Sequence, residues 1–271
     1  MPDFCGMNEL LRVALDASLE AGRAILDIYG SEDVGVEYKE DQSPLTRADR
    51  AAHEVLMKHL ETTGIPVLSE EGKHMPFEDR RAWDSLWIVD PVDGTKEFIK
   101  RNGEFTVNVA LVKAGRVVCG VVLAPVLGHA YVGEVGSGAW RCEADMSAHA
   151  SVDQVWEARQ ALPLDRAQDR PFTVVASRSH MSPETEAYVE KARTEHGEVN
   201  LISKGSSLKL CMVAEGTADA YPRFAPTMEW DTAAGQAVCE AAGCDVVDQN
   251  TGTTMRYNRE ELLNAWFLVT S

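Results

Sequence analysis

Two carboxylates, Asp90 and Asp93, directly follow an apolar run at residues 87–89 in the segment "WIVDPVDGT". Carboxylate oxygens are ligands that Mg²⁺ prefers. Gly94 and Thr95 come next and precede "KEFIK", which can begin a short helix with its backbone N–H groups free to face an anion. An aspartate before proline is also a frequent turn former, and for either acid alone the turn is the commoner role. In combination, these residues predict a metal ion bound beside a phosphate group.

Three further acids stand where elements of secondary structure are predicted to begin or end. Glu70 follows a strand at residues 65–69 and would ordinarily be a solvated loop acid, but strand ends that meet at one rim of a sheet would bring it to the aspartates. Asp231 precedes a helix rich in small residues, where N-capping is the simple role and does not exclude metal ligation. Thr46 and Asp49 match the capping-box pattern, so from spacing alone they predict a structural role.

Helical and strand patterns alternate along the chain and predict a mixed α/β fold, that is, layered α+β. "AGR" at residues 114–116 joins two strands as a hairpin, and "HAYVGEV" and "AWRC" extend the same sheet. The predicted helices span residues 8–29, 46–62, 182–195, 205–215 and 231–242, and the predicted strands span 65–69, 86–90, 105–112, 117–125, 172–177, 199–203, 218–221, 244–247 and 265–270. The pattern is weakest at 143–170, which predicts an N-terminal subdomain (1–145) with most of the metal ligands, a connecting region (146–170) and a C-terminal subdomain (171–271).

The composition limits the function. A formal net charge of −17 argues against binding of polymeric nucleic acid, which needs a basic surface. An anionic substrate would therefore need a cation to reverse the local charge. No apolar stretch reaches the length of a membrane span, the N-terminus lacks the pattern of a signal peptide, and the six cysteines form no CxxC pair. These features predict a cytoplasmic protein without an integral membrane segment.

Longer segments resemble a known family. The segments "SEE" (69–71), "WIVDPVDGTKEF" (87–98) and "EWDTAAGQAVCEAAG" (229–243) resemble the inositol monophosphatase superfamily of Mg²⁺-dependent, lithium-sensitive phosphatases. Within it, the chain is similar to the CysQ-type 3′(2′),5′-bisphosphate nucleotidases, in "DPVDGTKEFIKRNGEFTVNVALV", "SRSH", "GSSLKLCMVAEGTADAYPRF" and "YNREELLN". The resemblance covers the chain from about residue 9 onward and implies an αβαβα sandwich of two subdomains.

The resemblance also implies roles for individual residues. Thr95 and Asp49 would orient and deprotonate the attacking water, with Glu70 as a further catalytic acid, which adds chemistry to the capping role of Asp49. Two or three Mg²⁺ ions would be held by Glu70, Asp90, the main-chain carbonyl of Val92, Asp93 and Asp231. The substrate would be contacted by Gly94, Thr95, His180, Ser206, Ser207, Lys209 and Arg223.

The function that the resemblance implies is hydrolysis of the 3′-phosphate of 3′-phosphoadenosine 5′-phosphate, a by-product of sulfate assimilation, to AMP and phosphate. The 5′-phosphosulfate relative is a second candidate substrate. Three alternatives stay open: an inositol monophosphatase, a non-catalytic metal- or nucleotide-binding module, and an oligonucleotide phosphodiesterase, which the acidic charge disfavours. The sequence leaves open whether the chain is a monomer or a homodimer, and whether it lies peripherally at the inner face of a membrane.

Overall fold

Two β-sheets separated by a layer of helices form the frame of the molecule. The computed structural model describes most of the 271-residue chain. The described residues are 7–31, 34–39, 44–147, 150–165, 170–176 and 182–271.

The first sheet has seven strands in their order along the chain. Its first two strands are parallel and every later pair is antiparallel, and the predicted hairpin at residues 114–116 is confirmed. The strands are β3 (Val67–Ser69), β4 (Ser85–Asp93), β5 (Thr106–Lys113), β6 (Arg116–Ala124), β7 (His129–Glu134), β8 (Gly138–Glu143) and β9 (Arg159–Ala161). Because β9 lies within the predicted connecting region, the sheet continues past residue 145, and the division into subdomains stays a prediction.

The second sheet has six strands in the order β11-β10-β12-β15-β13-β14. The strand β10 pairs in parallel with both of its neighbours, and the other pairs are antiparallel. The strands are β10 (Phe172–Ala176), β11 (Val199–Ser203), β12 (Ala220–Arg223), β13 (Asp245–Asp248), β14 (Thr253–Thr254) and β15 (Phe267–Thr270). A separate two-stranded ribbon, which the sequence did not predict, pairs β1 (Glu37–Tyr38) with β2 (Pro44–Leu45).

The helices fall into three layers around the two sheets. They are α1 (Glu9–Tyr29), α2 (Arg47–Leu60), α3 (Phe77–Arg80), α4 (Thr95–Ile99), α5 (Val152–Glu157), α6 (Pro183–His196), α7 (Leu208–Glu215) and α8 (Glu229–Ala241), with a 3₁₀ turn at Glu61–Thr63. Side chains alternate across β4, as a pleated strand requires. Trp87 and Val89 pack with α1 and α2, whereas Leu86 and Ile88 pack with α7, α8 and the second sheet. The helix α6 covers the outer face of the second sheet. The layered α/β class is therefore confirmed, as an αβαβα arrangement.

The helix α8 lies unusually close to the first sheet, because small residues face each other there. A Cβ atom at Gly120 would lie 2.8 Å from the carbonyl oxygen of Ala234, and one at Gly133 would lie 2.6 Å from the Cα of Val238. A side chain at either glycine would push the helix outward. The small residues therefore set how far the first turn of α8 stands from the ends of the central strands.

Several predicted boundaries were wrong by a few residues. The strand β4 continues to Asp93 instead of ending at residue 90, α8 begins at Glu229 and not at 231, and α7 begins at Leu208 and not at 205. Among the described residues, no helix is both long and apolar enough to span a bilayer.

Candidate active site

An irregularity in β4 brings two acids to one side of the sheet. In a regular strand, residues three apart point to opposite faces. Between Asp90 and Asp93 the register against β5 shifts, as in a β-bulge, and the Oδ1 of Asp90 accepts a hydrogen bond from the backbone N–H of Val92 at 3.0 Å. The two carboxylates therefore converge.

Asp231 completes a three-carboxylate cluster. One oxygen from each of Asp90, Asp93 and Asp231 lies within 4.8 Å of the others. Asp231 is in the first turn of α8, and its Oδ2 accepts the backbone N–H of Met228 at 2.8 Å. It therefore caps the helix from inside the first turn, and not from the N-cap position that the sequence predicted. Local pattern gave no sign of this contact, because α8 is about 140 residues away from β4, and it was the family resemblance that grouped the three acids.

Glu70 lies at the same rim. Parallel pairing places Ser69 beside Val89, and the backbone N–H of Glu70 donates to the carbonyl of Val89 at 3.1 Å. Together with burial, the charge of Glu70 helps to raise the pKa of Asp90, as expected for neighbouring carboxyl groups. The expected convergence of strand ends is thus present.

Burial and mutual repulsion raise the pKa values of this cluster. Burial is the main cause at Asp90, whose pKa is well above its ordinary value, and the charges of Glu70, Asp93 and Asp231 add to it. Burial, followed by the charge of Asp93, raises the pKa of Asp231 to about 8. A cation bound among these carboxylates would stabilise their ionised form.

Lys39 supplies a positive charge that the sequence analysis missed. Its Nζ lies 2.9 Å from Glu70 Oε1 and 2.5 Å from Glu71 Oε1. Burial alone would lower the pKa of Lys39, but the charges of Glu70 and Glu71 outweigh it and raise that pKa. The contact depends on the ribbon of β1 and β2, and a lone lysine in a polar segment gives no local signal of it.

Asp49 and Thr95 are in contact, and Asp49 also caps its helix. The Oδ2 of Asp49 accepts hydrogen bonds from the backbone N–H and the hydroxyl of Thr46, at 2.7 and 2.6 Å. Its Oδ1 lies 3.3 Å from the Thr95 hydroxyl, which is also 3.3 Å from the carbonyl of Val92. Burial raises the pKa of Asp49. The capping prediction is confirmed, and the second oxygen faces Thr95.

Ser206 and Ser207 contact Asp93 from the turn before α7. Asp93 Oδ2 accepts the hydroxyl of Ser206, the hydroxyl of Ser207 and the backbone N–H of Ser207, each at 2.7 Å. The sequence analysis placed both serines in a nucleotide-contacting segment. In the structure their hydroxyl groups hold an acid of the cluster, and a substrate contact for them stays a prediction.

A cavity of about 440 Å³ adjoins the cluster. It is lined by Asp93, Gly94, Asp231 and both serines, and by five basic residues: Lys96, Lys100, Lys204, Lys209 and Arg223. Glu97 and Glu104 also line the cavity, and Lys204 pairs with Glu104 at 3.3 Å. The other four basic residues are donors that an anion in the cavity can accept.

Two of these basic residues, Lys209 and Arg223, donate hydrogen bonds to backbone carbonyl groups. Lys209 is 6% exposed, and its Nζ donates to the carbonyl of Ser206 at 2.6 Å and lies 5.5 Å from the centre of the Tyr221 ring. Burial lowers the pKa of Lys209 to about 8, against the opposing charge of Asp93. Arg223 donates through Nη2 to the carbonyl of Pro226 at 2.9 Å, but its buried Nε has no hydrogen-bond partner among the described residues. His180, the remaining predicted contact, lies outside the described residues.

Comparison with known proteins agrees with this geometry. The sequence profile of the inositol monophosphatase family matches residues 7–268. The chain belongs to this family. It is similar to two proteins named 3′(2′),5′-bisphosphate nucleotidase CysQ: one from Salmonella typhimurium (46% identical, covering 96% of this chain and 99% of the relative) and one from Escherichia coli K12 (47% identical, covering 92% and 94%). The crystal structure of CysQ from Bacteroides thetaiotaomicron, a bacterial family member, is 51% identical and superposes with a TM-score of 0.87 over 96% of both chains.

The donor set suits a hard divalent cation. All three clustered ligand groups are carboxylates, and Glu70 adds a fourth beside them. Oxygen-only donor sets of this kind favour Mg²⁺, Mn²⁺ or Ca²⁺ over softer metals. The site can therefore hold a metal ion of the class that inositol monophosphatase family members use.

Proposed function

We propose that the protein is a Mg²⁺-dependent 3′(2′),5′-bisphosphate nucleotidase that hydrolyses the 3′-phosphate of 3′-phosphoadenosine 5′-phosphate to AMP and phosphate. The observation that carries this proposal is the carboxylate cluster opening directly into a cavity lined by five cations. A cluster alone would serve any phosphatase of the family. The basic cavity suits a substrate with a second anionic group, as in the named activity of the CysQ relatives.

The metal ions would be held at the rim of the first sheet. The ligands in this proposal are Glu70, Asp90, the carbonyl of Val92, Asp93 and Asp231. Bound divalent cations at such a site neutralise the phosphoryl oxygens and lower the pKa of a coordinated water. Two or three Mg²⁺ ions are proposed, as the family resemblance implies.

Thr95 and Asp49 would prepare the attacking water. If the Thr95 hydroxyl donates to Asp49 Oδ1 across their 3.3 Å contact, its own lone pairs stay available to accept a hydrogen bond from water. Asp49 is held by Thr46 through its other oxygen, so the pair is oriented before substrate binds. The backbone N–H groups of Gly94 and Thr95, at the start of α4, would hold the scissile phosphate.

Lys209 and Arg223 would bind the second phosphate. The unpartnered Nε of Arg223 and the partly satisfied ammonium of Lys209 are donors that a phosphate can accept. Ser206, Ser207 and His180 remain proposed contacts in the same segments. An inositol monophosphate carries no second phosphate, so these cations would be unused in an inositol monophosphatase, which is the alternative function.

Two finer points belong to the same proposal. The 5′-phosphosulfate relative of the substrate has the same 3′-phosphate and would fit the same donors. A cytoplasmic location follows from a role in sulfate assimilation, and the five described cysteines are free and buried, as reducing conditions would keep them.

Phosphate release tests the proposal directly. The protein is incubated with Mg²⁺ and either 3′-phosphoadenosine 5′-phosphate or inositol 1-phosphate, each with and without LiCl. Lithium-sensitive preference for the nucleotide is expected. A preference for inositol 1-phosphate would replace the proposed substrate, and release from neither would favour a non-catalytic binding module.

A further inference from the structure

Asn108 is a polar residue inside a buried strand of the first sheet. The strand β5 has the sequence TVNVALVK and is buried along seven of its eight positions. Asn108 itself is 1% exposed. A buried amide is costly unless its donors and acceptor are hydrogen-bonded, and an aliphatic residue would fit such a strand without that cost. Its presence there needs a reason other than strand stability.

The amide of Asn108 reaches Asp93 through a serine. Its Nδ2 donates to Ser207 Oγ at 2.8 Å and lies 3.4 Å from Asp93 Oδ2. Its Oδ1 accepts from the hydroxyl of Thr106 at 3.0 Å, and Thr106 in turn contacts Ser206 Oγ at 2.7 Å. Asn108 and Thr106 therefore hold both of the serines that bind Asp93.

The direction of these hydrogen bonds follows from the donor count. A serine hydroxyl has one hydrogen. Because Asn108 donates to Ser207 Oγ, the serine hydrogen is directed to the two acceptors on its other side, Asp93 Oδ2 and the carbonyl of Asp231, each at 2.7 Å. Two donors of Ser207, its backbone N–H and its hydroxyl, lie 2.7 Å from Asp93 Oδ2, and Ser206 Oγ lies at the same distance, so Oδ1 is left as the oxygen of Asp93 for a metal ion.

We propose that Asn108 is a positioning residue of the metal site: acting through Ser207, it fixes Asp93 with Oδ1 presented to the ion. This role of Asn108 rests on the proposed function in one respect: the carboxylates that Asn108 positions are those proposed to hold the metal ion. The contact joins three parts of the chain, since β5, the turn before α7 and the first turn of α8 meet at Ser207 Oγ.

The test is Mn²⁺ binding in the absence of substrate, measured by electron paramagnetic resonance of free Mn²⁺. Asn108→Leu keeps the branched shape but removes the amide, and we expect it to weaken Mn²⁺ binding by about 10-fold or more, as loss of outer contacts to metal ligands typically does. Ser207→Ala should weaken it similarly. The double variant should lose less than the sum of the two single losses, because Asn108 acts mainly through that hydroxyl and its own contact with Asp93 Oδ2 is longer, at 3.4 Å.

Controls separate positioning from stability. Thr173→Val removes another buried hydroxyl, 4% exposed, from the second sheet and should leave Mn²⁺ affinity unchanged even if it lowers the melting temperature. Asn108→Ala serves in place of the leucine variant if that one does not fold. Mn²⁺ affinity within 2-fold of wild type, or additive losses in the double variant, would overturn the proposal. Because no substrate is present, an enzyme with a different substrate would leave this result unaffected.

Discussion

Replacing Lys39 with methionine should strengthen divalent metal binding. The ammonium of Lys39 forms ion pairs with the carboxylates of Glu70 and Glu71, at 2.9 and 2.5 Å. A metal ion bound to Glu70 would therefore lie next to this ammonium. A monovalent and a divalent cation about 5 Å apart repel by roughly 2 kcal/mol in water and by roughly 7 kcal/mol at an effective dielectric constant of 20. Lys39 must therefore move before or while a metal ion binds to Glu70.

The structure bounds the size of this effect. Because a lysine side chain can swing away, the cost that enters the binding constant is that of breaking its contacts with the two glutamates. The side chains of Lys39 and Glu70 are 24% and 27% exposed, so their pair lies between the exposed and the buried case, at about 1–3 kcal/mol. Since 1.4 kcal/mol corresponds to a factor of ten, Lys39→Met should tighten binding of at least one ion by about 10-fold.

Mn²⁺ titration by calorimetry measures this affinity without substrate. Lys58→Met is the matched control, because it removes the same charge from an exposed pair with Glu20 on α1. The metal-free Lys39 variant should also melt at a lower temperature than wild type, since Glu70 and Glu71 lose their counter-charge. Unchanged or weaker Mn²⁺ binding by Lys39→Met, with Lys58→Met equal to wild type, would refute the competition argument.

Three further predictions concern the reaction and its pH dependence. Thr95→Ala should lower kcat by roughly 10²-fold, because the water loses its acceptor, and a change confined to KM would show only a phosphate contact. Lys209→Met should raise KM for 3′-phosphoadenosine 5′-phosphate more than for inositol 1-phosphate, and equal losses on both would contradict the second-phosphate role. Asp231, with its pKa raised by burial to about 8 from an ordinary 3.8, binds a proton in the folded state that the unfolded chain releases. The melting temperature in EDTA should therefore fall as pH rises through the interval from 4 to 8, and saturating Mg²⁺ should remove that slope; a rise in EDTA would contradict it.

The local sequence pattern was sufficient to predict the helices and strands that contain the acidic residues of the site. The apolar run before Asp90, the capping box of Thr46 and Asp49, and the small residues after Asp231 each predicted the element that the structure contains. These signals depend on residues within one or two turns of the chain. The resemblance to a family then supplied roles that spacing could not, as for Asp49, whose second oxygen faces Thr95.

Contacts between distant segments were beyond the local sequence pattern. Nothing near Asp93 indicates that serines 113 and 114 residues later would bind its carboxylate. The bulge after Asp90 was also missed, since a proline between two acids predicts a turn as readily as an irregular strand. Lys39 was missed for the same reason as the serines, because its partners are brought to it only by the packing of the ribbon against the sheet.

The hydrogen bonds around the acids show how a buried carboxylate cluster can be kept ready for a metal ion. Protein donors hold one oxygen of each acid: the N–H of Val92 on Asp90 Oδ1, the turn before α7 on Asp93 Oδ2, and the N–H of Met228 on Asp231 Oδ2. Fixing one oxygen sets the direction of the other. Hydrogen-bond donors on both oxygens of a carboxylate would stabilise its ionised form without a metal ion, and would leave neither oxygen free to bind one. Burial and the neighbouring charges raise the pKa values of Asp90 and Asp231, so metal binding must displace protons. Metal affinity should therefore increase as pH rises toward 8, in the same interval in which the metal-free fold loses stability.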